Sequence, residues 1–284
     1  MYNPIYHYLS INFIINRKKQ IKIINKFIYK PKFSIIMPVY NVEIEHLEEA
    51  INSVVNQTYP NWELCIYDDN STDLNIKTKL KELEKTDNRI NVKFGDENKG
   101  ISIASNEAIK MSSGEYICFL DHDDLITVNA LFEIAKVLQK FKWDLIYTNE
   151  DKINLKGKFC FPFYKKDWCV DLLLKSNYIT HFSCYKKEVG EEIGWFRKGY
   201  EGSQDYDLVL RFSKKNRSVY HIKKVLYHWR MTEQSTALSS DNKPYAYDSA
   251  IRSLKEYYLE KGLVGEIKMI YPGHYIFIKG DDFK

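Results

Sequence analysis

The 284 residues predict an α/β protein, a mostly parallel sheet flanked by helices, built as a single domain with an amino-terminal basic amphipathic helix. Three observations carry that prediction. From Phe33 to Tyr147, short β-type apolar runs alternate with stretches of helical periodicity, the mark of repeated βαβ units whose right-handed crossovers lay helices over a sheet. Carboxylates cluster directly after two of those runs, where open α/β sheets bind their ligands. No Pro/Gly/Ser-rich linker, low-complexity tract or internal repeat divides the chain, and a chain of this length can bury one large core. The expected division is a basic segment over 1–30, a folded domain over 31–265 and a tail over 266–284 in which no pattern is readable.

The amino-terminal segment is read first. Ile5 to Ile15 is apolar but shorter than the ~20 residues a bilayer span requires, and its basic residues follow it, whereas a secretory signal carries them in front. Ile21, Ile24, Phe27 and Ile28 then recur at helical spacing, with Lys18, Lys22, Lys26 and Lys30 on another face. Such a helix either lies on an anionic leaflet, each lysine contributing about 1 kcal/mol, or packs on the domain with its lysines solvated.

Strand and helix patterns follow in pairs: Phe33–Val39 with Ile44–Val55, Trp62–Tyr67 with Leu74–Leu83, Ile90–Phe94 with Ile101–Met111, and Tyr116–Leu120 with Val128–Phe141, before a strand at Leu145–Tyr147. Beyond Asn149 the alternation loosens, and helical patterns remain at Trp168–Lys175, Ser203–Phe212 and Tyr245–Lys261.

Charge and cysteine usage narrow the function classes. The net charge is +4, yet residues 1–42 alone hold seven basic and no acidic side chains, so the remainder is mildly acidic. A nucleic-acid-binding domain would carry its basic surface through the fold. Five cysteines at irregular spacing, without a C-x-x-C pair, suit a reducing, cytoplasmic compartment and buried thiols rather than a zinc site; His181 near Cys184 lacks partners at zinc spacing. Neither G-x-G-x-x-G after the first strand nor G-x-x-x-x-G-K-[ST] anywhere is present, which excludes a nicotinamide dinucleotide fold and a P-loop kinase.

The informative residues stand at the strand ends. Asp121-His122-Asp123-Asp124 follows Ile117-Cys118-Phe119-Leu120; Asp121 and Asp123 on one short loop suit a hard divalent cation that keeps water and phosphate oxygens as further ligands. The simpler role for Asp123 or Asp124 is to cap the following helix. Asp68-Asp69 also fits an Asx-turn, but its place at a neighbouring strand end aims it at the same crevice, where Asp69 can accept a base N–H while Pro38 or Tyr40 covers the ring.

Phe33–Asn41 (FSIIMPVYN), Asp68–Asp73 (DDNSTD), Asn98-Lys99-Gly100, Phe119–Asp124 (FLDHDD), Asn149-Glu150-Asp151-Lys152, Asn177-Tyr178-Ile179, Glu201–Leu208 (EGSQDYDL) and Tyr227–Arg230 (YHWR) stand in an order that resembles glycosyltransferase family 2. The resemblance runs from about residue 31 to 262, toward the bacterial branch that builds O-antigen, capsule and related surface polysaccharides. It implies a Rossmann-like GT-A fold that binds a nucleoside-diphosphate sugar, UDP- or dTDP-linked, with Mg²⁺ or Mn²⁺, and transfers the sugar with inversion to a lipid-linked or growing glycan at the inner face of the plasma membrane. By that resemblance Asp69 contacts the base, Asp121 the ribose or metal, Asp123 the metal and Arg230 the diphosphate. Asp205 is the catalytic base, preceded by Gln204 where the family often has an acidic residue. His228 is a further metal-ligand candidate, and Trp168, Asn177, Tyr178 and His181 are candidates for shaping the acceptor pocket. Met231–Ser240 resembles the segment that closes over the diphosphate. A base is required because an acceptor hydroxyl is a poor nucleophile until its proton is taken. Two rivals are a nucleotidyltransferase, which needs a glycine-rich basic loop that Pro38–Glu43 lacks, and a non-catalytic nucleotide-sugar binder, against which the carboxylates at 121, 123 and 205 argue.

Overall fold

A computed structural model describes residues 10–232 and 244–280; the Met231–Ser240 segment lies almost wholly outside them, as do residues 5–9 of the Ile5–Ile15 run. The expected series appears in order: β1 (Phe33–Val39), α2 (Ile44–Val55), β2 (Trp62–Asp68), α3 (Leu74–Thr86), β3 (Ile90–Phe94), α4 (Ile101–Met111) and β4 (Tyr116–Phe119). β1 and β2 are buried along their whole length, as near-continuous apolar runs of a sheet covered on both faces should be.

The second half adds β5 (Leu125–Ile126), α5 (Ala130–Val137), β6 (Leu145–Ile153), β7 (Phe159–Phe163), α6 (Val170–Leu173), β8 (Ser183–Lys186), α7 (Lys187–Ile193), α8 (Gln204–Ser213), β9 (Val219–Arg230) and α9 (Pro244–Glu260). One sheet runs β3-β2-β1-β4-β8-β6-β9-β5, with β7 on β6. It is parallel through β1 to β4 and again between β6 and β9, but β8 runs antiparallel to both β4 and β6, and β5 and β7 are antiparallel additions. The sheet is therefore mixed rather than mostly parallel. A parallel neighbour needs a crossover of a dozen or more residues, and the short turn between β6 and β7 allows only a hairpin.

Both ends of the chain differ from the expectation. Helix α1 (Ser10–Ile24) stops short of Lys30. Ile24 and Phe27 are buried, and Phe27 stacks on Phe132 with ring centroids 6.1 Å apart, whereas Ile28 is fully exposed. The chain leaves the helix because Gln139 grips the Tyr29 backbone, accepting its N–H at 3.2 Å and donating to its carbonyl at 2.6 Å, and because Pro31 disfavours a helical residue before it. The end of the amino-terminal segment is thus packed on the domain. At the other end, β10 (Gly265–Tyr271) and β11 (His274–Lys279) form a hairpin turned by Pro272-Gly273. Ile267 and Tyr275 are buried, and Tyr275 stacks on Tyr206 of α8, so the tail completes the core.

Candidate functional site

Three strand ends supply the crevice. At the end of β2, Asp68 is buried and accepts the Ser71 N–H at 3.1 Å, an Asx-type turn. Asp69, also buried, accepts backbone N–H groups from Lys99 and Gly100 at the start of α4, at 3.0 and 2.8 Å. It is thus fixed against the positive end of that helix. Gly100 takes φ of 86°, a conformation a side chain disfavours. At the end of β1 the Pro38 carbonyl meets His122 Nδ1 at 3.0 Å, and Tyr40 is left 41% exposed.

The loop after β4 divides its carboxylates. Asp121 remains 41% exposed in its side chain and lies 3.7 Å from His181 Nε2. Asp124 is fully buried and accepts from Tyr227 Oη at 2.5 Å and from the Arg230 N–H at 2.7 Å. Burial, then the neighbouring Asp123 and Asp121 charges, push the Asp124 carboxyl well above its ordinary range. Oxygen atoms of Asp121 and Asp124 and a ring nitrogen of His181 all lie within 4.8 Å of one another. Two carboxylates and an imidazole are a donor set that suits Mn²⁺ well and Mg²⁺ less so. Among the described residues no group lies within hydrogen-bond distance of His181 Nδ1, though a Glu150 carboxylate oxygen is 3.6 Å away. Asp123, expected as a ligand, is outside this group and meets Arg230 Nε through its carbonyl at 2.6 Å.

His228, the other expected ligand, is elsewhere. Its Nδ1 meets Asp151 at 2.5 Å and its ring lies 4.2 Å from that of Phe159. It sits on β9 one residue from Tyr227, and alternate residues of a strand face opposite ways. Tyr227 therefore faces the crevice, stacked on His181 at 4.6 Å, and His228 faces away. Arg230, at the end of the same strand, also bonds Glu49 on α2 at 2.6 Å, so its guanidinium is held at the crevice wall.

Asp205 enters from α8. Its carboxylate accepts from Asn177 Nδ2 and from the Tyr206 N–H, both at 2.8 Å. Burial raises it above the ordinary carboxylate value, while the His181 charge draws it down and Asp121 pushes it up. Asp205, Asp121 and His181 thus lie within electrostatic reach of one another. Asn177, expected in the acceptor pocket, is thus the side chain that holds Asp205. Tyr178 is buried, taking the Cys169 N–H on its hydroxyl at 2.8 Å, and Trp168 packs edge-on against Phe212.

Two residues without an assigned role in the sequence reading organise the back of the site. Glu150 and Lys165 form a buried ion pair at 3.0 Å. Glu150 also accepts from Thr180 Oγ1 at 2.9 Å and from the His181 N–H at 3.1 Å, while Lys165 donates to the carbonyls of Ile179 and His181. Together they clamp the segment that carries His181. Burial opposes ionisation of Glu150, but Lys165 and His181 outweigh it and hold it at about 2. Burial likewise opposes a charged His181, and Glu150, Asp121 and Asp124 overcome it, raising the ring to about 9. Asn149-Glu150-Asp151-Lys152 stood out in the sequence as a motif; Lys165 carried no signal there.

The sequence profile of glycosyl transferase family 2 matches residues 34–194. The chain is 43% identical over 230 residues to an uncharacterized protein, y4gI, of Sinorhizobium fredii, covering 80% of this chain and 25% of that one. It is 31% identical over 247 residues to the O-antigen biosynthesis protein RfbC of Myxococcus xanthus, covering 87% of this chain and 19% of the relative. The chain therefore spans a quarter or less of these two relatives. Among solved structures, S. aureus TarS 1–349 in complex with UDP-GlcNAc superposes with a TM-score of 0.64 at 21% identity, over 80% of this chain and 66% of that one.

Proposed function

The chain belongs to glycosyl transferase family 2, and on that basis we propose that it moves a sugar, with inversion, from a nucleoside-diphosphate donor to a hydroxyl of a lipid-linked or growing surface glycan. The observation that carries the reading is Asp121 beside His181 at 3.7 Å, with the charges of both acting on the buried Asp205. The donor named with TarS and the O-antigen role named for RfbC support the substrate class.

In this reading the nucleoside lies over the ends of β1 and β2, with Asp69 beside the base and Tyr40 against a ring. Asp121, Asp124 and a neutral His181 imidazole, its proton displaced by the metal, would hold a divalent cation that neutralises the diphosphate. Arg230 adds positive charge by exchanging Glu49 for phosphate oxygens. On the other face of the sugar, Asp205 takes the acceptor's proton as its oxygen bonds to the anomeric carbon and the bond to the diphosphate breaks. The products are the glycoside, a nucleoside diphosphate and a protonated Asp205. Attack opposite the leaving group inverts the centre.

The test is a panel of UDP- and dTDP-sugars incubated with the protein and Mn²⁺, with nucleoside-diphosphate release as the readout. Release from at least one donor, suppressed in Asp121→Ala, is expected. Release of pyrophosphate from nucleoside triphosphate and sugar phosphate would assign a nucleotidyltransferase instead, and donor binding without any release would assign a non-catalytic binder.

A further inference from the structure

Beside the crevice, β6 and β7 run out as a hairpin whose tip and outer strand carry large apolar side chains in solvent: Leu155 is 65% exposed, Phe161 69% and Tyr164 70%. The turn is built to hold this shape. Asn154 Oδ1 accepts the N–H groups of Lys156 and Lys158 at 2.9 and 3.0 Å, and the Asn154 N–H reaches the Lys158 carbonyl at 2.9 Å. Phe161 has φ of 50° at a register shift in the β6–β7 pairing, an unusual backbone for a bulky residue. A strained residue placed in solvent rather than in a core marks a surface with a task.

The charges around it are one-sided. Lys156, Lys158 and Lys166 are exposed and form no ion pair among the described residues. The neighbouring carboxylates are already engaged: Glu150 by Lys165, Asp151 by His228, and Asp167 by His221 and Lys223. A protein strand docking on the outer edge of β7 is disfavoured, because Pro162 offers no N–H and the register shift breaks the ladder. Aromatic faces such as those of Phe161 and Tyr164 can stack on a sugar ring, but Leu155 at the tip has neither a ring nor a hydrogen-bonding group for a glycan. Apolar side chains interleaved with unpaired lysines instead match acyl chains beneath anionic headgroups.

We propose that the β6–β7 hairpin is a membrane-contact element that seats Leu155 and Phe161 in the interface of an anionic bilayer, with Lys156 and Lys158 at its headgroups. The hairpin extends from the strands that carry Glu150 and Arg230, so this contact brings the crevice to the membrane surface. The inference deepens the lipid-linked acceptor of the proposed function, but vesicle binding is read without donor or acceptor, so the two can fail separately.

The experiment is co-sedimentation of the full chain with vesicles of phosphatidylcholine alone or with 30% phosphatidylglycerol. The wild type should partition onto the anionic vesicles, less so at high salt. Lys156→Glu/Lys158→Glu should lower partitioning by at least about 25-fold, at about fivefold per lysine. Leu155→Ser/Phe161→Ser should lower it by at least about tenfold, and both variants should melt at the wild-type temperature. The full chain with Lys18, Lys19, Lys22, Lys26 and Lys30 all changed to Gln, each of them exposed, separates this contact from the amino-terminal lysines and should keep the hairpin-dependent part. Unchanged partitioning of both hairpin variants would overturn the proposal. So would loss of oligosaccharide binding in Leu155→Ser/Phe161→Ser with vesicle binding intact, which would make the hairpin a glycan platform.

Discussion

Glu150 shows what a single side chain does in the back of this site. Its carboxylate pairs with Lys165 and holds both Thr180 and the His181 backbone, so Glu150→Gln leaves a buried ammonium without its counter-charge. Such a break costs about 3–5 kcal/mol, to be measured by urea unfolding at neutral pH. The pH dependence has a definite sign. Glu150 is held at about 2 in the fold against an ordinary 4.5, so its contribution is fully present above the ordinary value and is lost as pH falls toward the folded one. The stability gap between wild type and Glu150→Gln should therefore narrow on going from pH 6 to pH 3; a constant gap would count against the ion pair. The carboxylates at 69 and 121 were legible in the sequence because each follows an apolar strand, whereas Asp205 was legible only through the family resemblance. Lys165 was not, because a lysine in Phe163-Tyr164-Lys165-Lys166 reads as solvated and only the long-range fold buries it.

At the scale of elements, local pattern sufficed where burial is local. α2 and α4 occupy the residues their periodicity predicts, Ile44–Val55 and Ile101–Met111. The pattern failed where partners are distant. The stretch over 266–284, read as patternless, forms a hairpin turned by Pro272-Gly273, because nothing nearby in sequence shows that Ile267 and Tyr275 are buried against the rest of the fold. Tyr275→Ala should destabilise the fold by about 3–5 kcal/mol, as truncations of large buried aromatics do. An effect below 1 kcal/mol in thermal or denaturant unfolding would mean the hairpin is peripheral. His228 illustrates strand alternation deciding function: a one-residue step along β9 separates the ring-stacked, crevice-facing Tyr227 from a histidine paired with Asp151.

For the whole molecule, the mixed sheet matters more than its parallel half. β1, β2 and β4 end at Tyr40, Asp69 and the Asp121–Asp124 loop, while the segment before the antiparallel β8 and the long β9 bring His181, Tyr227 and Arg230 against Asp121 and Asp124. His181, expected in the acceptor pocket, lies instead beside Asp121 and Asp124, because the pairing of β8 between β4 and β6 is set by partners distant in sequence. The central claim is that Asp205, within reach of the His181 and Asp121 charges, removes the acceptor's proton. The most direct measurement compares wild type and Asp205→Asn for turnover and, separately, for donor affinity. Turnover should fall by about 10²–10⁴-fold with donor affinity within about twofold. In the wild type, the acid limb of kcat/KM should lie above the ordinary carboxylate value, because burial raises Asp205 and its basic form is lost as pH falls through that raised value. Full turnover by Asp205→Asn, with the acid limb unmoved, would contradict the assignment.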